Sequence, residues 1–324
     1  MDDSAPDVIT GDFTLTDVTL IADGLRFPEG PLLLPDGRLA FVEIARSRLA
    51  AVTPDGTGGW GPVKTVAEIA GGPNGAALGP DGAVYICNNG GCFSWIDRFG
   101  MTFPGPLPDT WTGGSIDRVD LLTGAVTTLY SECNGHGLRA PNDIVFDAHG
   151  GFWFTDHGVR MERTSDRTGI YYAKADGSHI AEVVFPVDAP NGIGLSPSGN
   201  RVYWAETHTG RLFYRDITAP GEVSIPTAAD RGCLAGLPGM QLLDSLAVDG
   251  NGNVCVATIV RGGITLVSPT GVVSHASLGE EFYDVLTTNI CFGGADLRTA
   301  YITLSGTGRL VSARWPHPGL ALNY

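Results

Sequence analysis

PNDIVFDAHGGFWFTDH, residues 141–157, decides the fold. A short apolar run, IVF, meets the turn-forming DAHG and is answered by a second run, GFWFT. That is a pair of neighbouring strands joined by a tight turn. The pattern has five counterparts: PEGPLLLPDG (28–37) before LAFVEI, PNGAALGPDG (73–82) before AVYICN, PNGIGLSPSG (190–199) before VYWAET, LDSLAVDGNG (243–252) before NVCVATI, and TNICFGGADL (288–297) before AYITLSG. Copies of one strand–turn–strand unit at a regular interval indicate a repeat architecture.

Further strands follow each pair: RLAAV and VKTVAEI in the first unit, GIYYAKADG and AEVVF in the third, RLFYRDI and EVSIP in the fourth, GITLVSPTG and VVSHASL in the fifth. Four antiparallel strands per unit, six times, is an all-β six-bladed β-propeller. The sixth unit runs out of chain after three strands, and the N-terminal run FTLTDVTLIA (13–22) is spare. It is expected to supply the outer strand of the last blade, closing the ring and removing exposed edges. The expectation is a single domain over 1–324, with residues 1–11 as a flexible tail.

Each unit carries one polar residue six positions ahead of its turn, in an otherwise apolar setting. These are Glu29, Asn74, Asn142, Asn191, Asp244 and Asn289, and the first four in chain order, with Asp244 and Asn289 apart, follow proline: Pro28, Pro73, Pro141 and Pro190. In a propeller the first strand of a blade lines the central channel, so six residues starting those strands converge on one mouth. One Glu, one Asp and four Asn form an all-oxygen set suited to a hard divalent cation, Ca²⁺ ahead of Mg²⁺. Two carboxylates in a narrow channel repel unless protonated or bridged by a cation. A ring without His or Cys argues against a zinc-type site. The local alternative is that Asn74 and Asn289 only bond their own backbone.

The loops between second and third strands border the same mouth. They carry Glu43, Asn88, Asn89, His157, Arg160, Glu206, His208 and Arg261 as candidate substrate contacts. Ring residues are spaced by 45, 68, 49, 53 and 45 positions, so blade two holds extra chain. The excess, 88–114, is rich in aromatics (Trp95, Phe99, Phe103, Trp111). It reads as a lid-like insertion shaping a pocket for a partly apolar substrate, or as aromatics docked on the propeller itself.

Only 17 % of residues are charged, below the usual quarter, while Gly numbers 46 and Pro 21. That suits many short buried strands and tight turns. A net charge of −15 argues against nucleic acid and against anionic membrane surfaces. The acidic start MDDS lacks a signal-peptide pattern, and no apolar run is long enough to span a bilayer, so a cytoplasmic location is expected. The six cysteines lack CxxC spacing and are expected to be buried free thiols; a Cys87–Cys92 bridge is the alternative. A closed propeller has no obligatory interface, which leaves the oligomeric state open.

FPEGP (27–31), PNDIVFDAHGGFWFTD (141–156), PNGIGLSPSGNRVYW (190–204) and DSLAVDGNGNVCVA (244–257) resemble the gluconolactonase/regucalcin superfamily. The resemblance extends from about Arg26 to Leu310 and includes TNICFGGADLRTAYIT. It implies a catalytic divalent cation held by Glu29, Asn142, Asn191 and Asp244, and hydrolysis of a small-molecule lactone or ester. Asn142 falls at a position that serves substrate in some members. Asn74 and Asn289 lie outside the usual ligand set and are assigned, with Asn89, His157 and His208, to substrate. Asp244 is the candidate general base, or the residue that orients the attacking water. The working ion is not chosen among Ca²⁺, Mg²⁺, Mn²⁺ and Zn²⁺. Two other functions fit the same residues: phosphotriester hydrolysis, and calcium binding without catalysis.

Overall fold

A computed structural model describes residues 9–228 and 230–324; of the tail expected over 1–11, residues 1–8 lie outside these. Strands account for almost all regular structure, and Ile44–Arg46 forms a 3₁₀ turn. Six sheets of four or five strands, with two further two-stranded hairpins, are formed among the described residues, and the six follow one another along the chain. Their innermost strands are Pro28–Leu33, Pro73–Leu78, Pro141–Phe146, Pro190–Leu195, Leu242–Val248 and Thr287–Gly293. Each pairs antiparallel with the strand that follows it. Neighbouring inner strands pack on one another in a closed circle, the sixth against the first. The chain is a six-bladed β-propeller.

The second strand of a blade is sandwiched between two neighbouring blades. Leu39–Glu43, Val84–Asn88 and Gly151–Asp156 are buried at every position. Such strands read as continuous apolar runs rather than as alternation. Outer strands such as Lys64–Glu68 are mostly exposed and correspondingly polar. Trp153, Trp204 and Trp315 are among the largest fully buried side chains, and they fill the wedges between blades.

The N-terminal run closes the ring, but in two pieces. Thr16–Ala22 pairs antiparallel with Arg309–Arg314 as the outer strand of blade six. Phe13–Thr14 instead adds in parallel to Val273–Ser277, the outer strand of blade five. Leu15, between the two, is buried in the core shared by these blades, and Ile9 packs on that core. One segment thus fastens two blades.

Blade four departs from the expected strand order. EVSIP does not form its outer strand; only Glu222–Val223 pair, at the end of Arg211–Ala219. The outer strand is Cys233–Gly236, paired with Arg211–Phe213. The pairing after the Gly221 turn runs as far as Ser224, whose N–H donates to the Asp216 carbonyl at 2.8 Å, and Pro226 has no N–H to carry the ladder on. All six cysteines are free, so no Cys87–Cys92 bridge forms; Cys233 is exposed and Cys291 only half-buried, against the expectation of burial. No helix among the described residues is long and apolar enough to cross a membrane.

Candidate metal centre

The six ring residues start, or nearly start, the inner strands. Every inner strand carries a register shift at or beside its ring residue, between Glu29 and Leu32 in blade one and between Leu243 and Leu246 in blade five, for example. A bulge re-aims a side chain and releases local pairing. The residue after the ring position is glycine in three blades because the next strand lies against it. A Cβ on Gly30 would stand 2.6 Å from the Asn74 carbonyl, and one on Gly75 would stand 2.5 Å from that of Asn142. On Gly192 it would meet the Leu246 amide at 2.5 Å and the Asp244 carbonyl at 2.7 Å. Gly192→Ala is therefore expected to cost about 1–3 kcal/mol of stability, and to displace Asp244. Chemical denaturation together with calcium affinity would measure both.

The ring is unequal in its bonding. Glu29 is 2 % exposed, and its Oε2 accepts from the Gly30 amide at 2.9 Å and from Asn289 Nδ2 at 2.7 Å. The other end of that amide is also used: Asn289 Oδ1 accepts from the Ile290 N–H at 2.7 Å. Asn289 therefore holds Glu29 in place, a role that its spacing alone did not reveal. Asn191 donates Nδ2 to Thr207 Oγ1 at 3.1 Å. Its Oδ1, like that of Asn142, is buried with no hydrogen-bond partner. Asn74 is buried beside Gly30. Asp244 is half-buried, the more open of the two ring carboxylates.

Asp143 is a third carboxylate at this centre, 7 % exposed and absent from the expected set. It follows Asn142 where other blades have glycine, serine or isoleucine. Its Oδ1 accepts from the Ile144 amide at 2.9 Å and its Oδ2 from the Ile193 amide at 3.2 Å, which ties blade three to blade four. The replacement of a packing glycine by Asp in PND was its only signal in the sequence.

No ion pair reaches Glu29, Asp143 or Asp244 among the described residues. Burial pushes each carboxyl above its usual range, Asp143 to about 7; the Glu29 charge adds to the rise at Asp143 and Asp244, and the Asp143 charge to that at Asp244. No cluster of three His, Cys, Asp or Glu side chains forms a ready metal cage among the described residues. An ion here would rest on Glu29 and Asp244 together with the two orphaned amide oxygens. That donor set, all oxygen and short of positive charge, fits a hard divalent cation.

A raised carboxyl pKa means that the folded, metal-free chain holds protons more tightly than the unfolded chain does. The contribution of Asp143 to stability is complete below the ordinary value of 3.8 and is lost as pH rises through about 7. His157, His208 and His275, whose imidazoles burial pushes down, act in the opposite sense. The informative comparison is therefore between chelated wild type and chelated Asp143→Asn. The variant is expected to gain thermal stability relative to wild type between pH 5 and 7.5, and identical pH profiles would refute the assignment.

Several loop candidates have structural work. Glu43 is fully buried; it accepts from the Arg26 amide at 2.7 Å and pairs with Arg46, at 2.5 Å, and Arg48. Asn88 Oδ1 accepts from the Gly72 amide at 2.9 Å, and Asp156 accepts from the amides of Arg139 and Ala140, both at 2.7 Å. Each ends a second strand and clamps the loop that enters the inner strand beside it. Glu206 does so more loosely, accepting from the Asp188 amide at 3.5 Å. Arg160 pairs with Asp188, and Arg261 pairs with Asp12 of the N-terminal segment.

His157 and His208 meet edge to face, with ring centroids 5.8 Å apart, between blades three and four at the ring end. His157 Nδ1 lies 3.1 Å from the Gly158 carbonyl, so a neutral ring donating there leaves Nε2 as an acceptor. Asn89 is buried behind the mouth, where its Oδ1 accepts from the Gly91 and Cys92 amides while its Nδ2 has no partner.

The blade-two insertion contains a hairpin, Trp95–Arg98 with Met101–Pro104. Its base packs on blade three through Cys92, Trp111, Ala140 and Val159. Its body reaches blades one and six: Asp97 takes two bonds from Arg26, at 2.8 and 3.1 Å, and the Thr102 amide donates to the Gly306 carbonyl at 2.8 Å. The hairpin therefore arches along the rim of the mouth. On the other side of the ring the channel widens to a cavity of about 810 Å³, with Gly30, Asp143 and Asn289 at its inner end. The C-terminal tail crosses its far end, where Asn323 Nδ2 donates to the Phe146 carbonyl at 2.9 Å.

The model of the SMP-30/gluconolactonase/LRE-like region matches residues 27–306. A lactonase, drp35, of Staphylococcus haemolyticus is 29 % identical over 176 residues, 54 % of this chain; the match spans about half, 52 %, of that relative. A gluconolactonase of Zymomonas mobilis is 24 % identical over 307 residues, 86 % of this chain and 76 % of that protein. Among solved structures, the gluconolactonase XC5397 of Xanthomonas campestris aligns with a TM-score of 0.70 at 21 % identity, covering 94 % of this chain and 91 % of that one. The calcium-binding protein regucalcin of Agrobacterium tumefaciens aligns with a TM-score of 0.68 at 16 % identity, covering 97 % and 100 %. At these identities the structural likenesses establish the fold alone.

Proposed function

Because the chain belongs to the SMP-30/gluconolactonase/LRE-like family, we propose that it is a metal-dependent hydrolase that opens a lactone. The observation that carries this reading is the meeting of two crowded carboxylates, Glu29 and Asp244, with two buried amide oxygens that have no partner. Glu29, Asn142, Asn191 and Asp244 would hold one divalent cation, Ca²⁺ by the chemistry of the set. When bound, such an ion supplies a Lewis acid for the ester carbonyl.

The protein's own residues do the rest. Asn289 fixes Glu29 and Thr207 fixes the Asn191 amide, so this part of the ligand geometry is prepared before substrate arrives. Asp244, the more open carboxylate, orients the attacking water and takes its proton. Asn142 is placed to serve substrate as well as metal. On the side of blades three and four, neutral His157 would accept at Nε2 from a substrate hydroxyl, and neutral His208 stands beside it as a second hydrogen-bonding group. Asn74, within the ring, and Asn89, whose Nδ2 has no partner, would add further polar contacts to substrate.

The test is hydrolysis of a lactone panel, with a fluorophosphate alongside, after chelation and re-addition of Ca²⁺, Mg²⁺, Mn²⁺ or Zn²⁺ singly. Lactone opening should vanish on chelation and return with Ca²⁺. A preference for the phosphoester would replace this reading with phosphotriester hydrolysis. Tight metal binding without turnover on any substrate would leave a calcium-binding propeller.

A further inference from the structure

The mouth above the ring has two unlike sides. Over blades five, six and one, Phe27, Ile259, Val285 and Leu286 belong to one apolar cluster, and Trp95 and Phe103 of the hairpin pack onto it. Phe27 stands two residues before Glu29, and its ring lies 5.0 Å from that of Trp95. Leu286 enters blade six three residues before Asn289. This apolar wall thus begins where the ring begins. Ile259, Val285, Trp95 and Phe103 are only half-buried, so part of their surface stays open. The rim continues in the same character, with Ile96 46 %, Phe99 81 % and Val260 40 % exposed. Scattered single apolar side chains on a surface need no explanation, but a run of them contiguous with a buried cluster does.

Over blades three and four the same level is polar. There stand the His157–His208 pair, the Arg160–Asp188 ion pair and Glu206. The two sides face each other across a ring only six strands around.

We infer that the preferred substrate is an amphiphilic lactone: a ring ester seated at the centre, an alkyl or aryl substituent along Trp95, Val285 and Ile259, and its polar edge toward His157 and His208. The inference rests on the lactonase reading and narrows it. A lactone with hydroxyls all round would place some of them against the apolar wall, where they lose hydrogen bonds to water without replacement. A substituent that covers the wall gains from every methylene removed from water. Trp95 is the specificity-determining residue in this arrangement, because it joins the hairpin to the wall.

The experiment is a series of δ-lactones with alkyl substituents of increasing length, with glucono-δ-lactone for comparison. kcat/KM is expected to rise by up to about fourfold per methylene until the wall is covered. In Trp95→Ala that slope should flatten. A loss of folded protein would instead lower all substrates by one factor and leave the slope unchanged. The matching lactams, which resist opening, give Kd by tryptophan fluorescence and read the same slope without turnover. A flat slope, or a preference for gluconolactone, overturns the inference while lactone opening stands. A chain-length slope in lactam binding with no lactone opened overturns the lactonase reading and leaves the amphiphilic site. No slope in either assay overturns the inference outright.

Discussion

Glu29→Gln and Asp244→Asn are each expected to abolish tight Ca²⁺ binding and to lower kcat/KM by about 10²–10³ or more. Each removes one of the two charges proposed to hold a divalent ion, and Asp143, the third carboxylate at the centre, is already committed to the amides of Ile144 and Ile193. The fold should survive, because both substitutions relieve crowding of buried like charges. Calorimetric titration with Ca²⁺ and thermal melts with and without chelator separate these effects. Retained tight binding in Glu29→Gln would disprove the ligand assignment. The two variants differ in what else they report. If Asp244→Asn keeps the metal and turnover is unchanged, Asp244 has no role as base. If it keeps the metal and loses turnover, the proton transfer is its own. Asn289→Ala should weaken metal binding less, because it only frees Glu29 to move.

Glu43→Ala is expected to cost about 3 kcal/mol or more of stability, the range for breaking a buried ion pair from one side. Glu43 has no exposed surface, and its carboxylate answers Arg46, Arg48 and the backbone amide of Arg26 together. Truncation strands the Arg26 amide and the Arg48 guanidinium. The Arg48 side chain is 19 % exposed and cannot fully escape to water, whereas Arg46 at 40 % can. Arg46→Ala should accordingly cost under about 1 kcal/mol. For a chain of this length the Glu43→Ala loss amounts to a drop in Tm on the order of 5 °C. The loop it clamps leads directly into Glu29, so metal affinity should fall with stability. An unchanged melting temperature would show that the clamp holds nothing.

Much of the centre was legible from spacing. A residue that begins the inner strand of a propeller blade has one place to go, so equal offsets in six units translate into six neighbours in space. Strand identity was legible for a related reason: a strand buried on both faces must be apolar throughout, and VYWA or GFWF allow no other assignment. Blade four was misread because EVSIP has strand composition, while its pairing stops at Ser224 and the later segment Cys233–Gly236 takes the outer edge. The division of the N-terminal run at Leu15 depends likewise on which blade edges lie within reach.

By itself the sequence determined the repeat, the ring and its charge, since these follow from residue type and interval. Only the tertiary structure decided which ring members have free oxygens, because a hydrogen bond depends on the partner that packing delivers. It showed Asn289 spent on Glu29, and Asn142 and Asn191 left with unpaired oxygens. It also showed Asp143 joining the carboxylates, Glu43 and Asp156 acting as clamps, and the blade-two hairpin lying along the rim. None of these has a signature in spacing, for each joins residues far apart in the chain whose meeting is set by how the blades close.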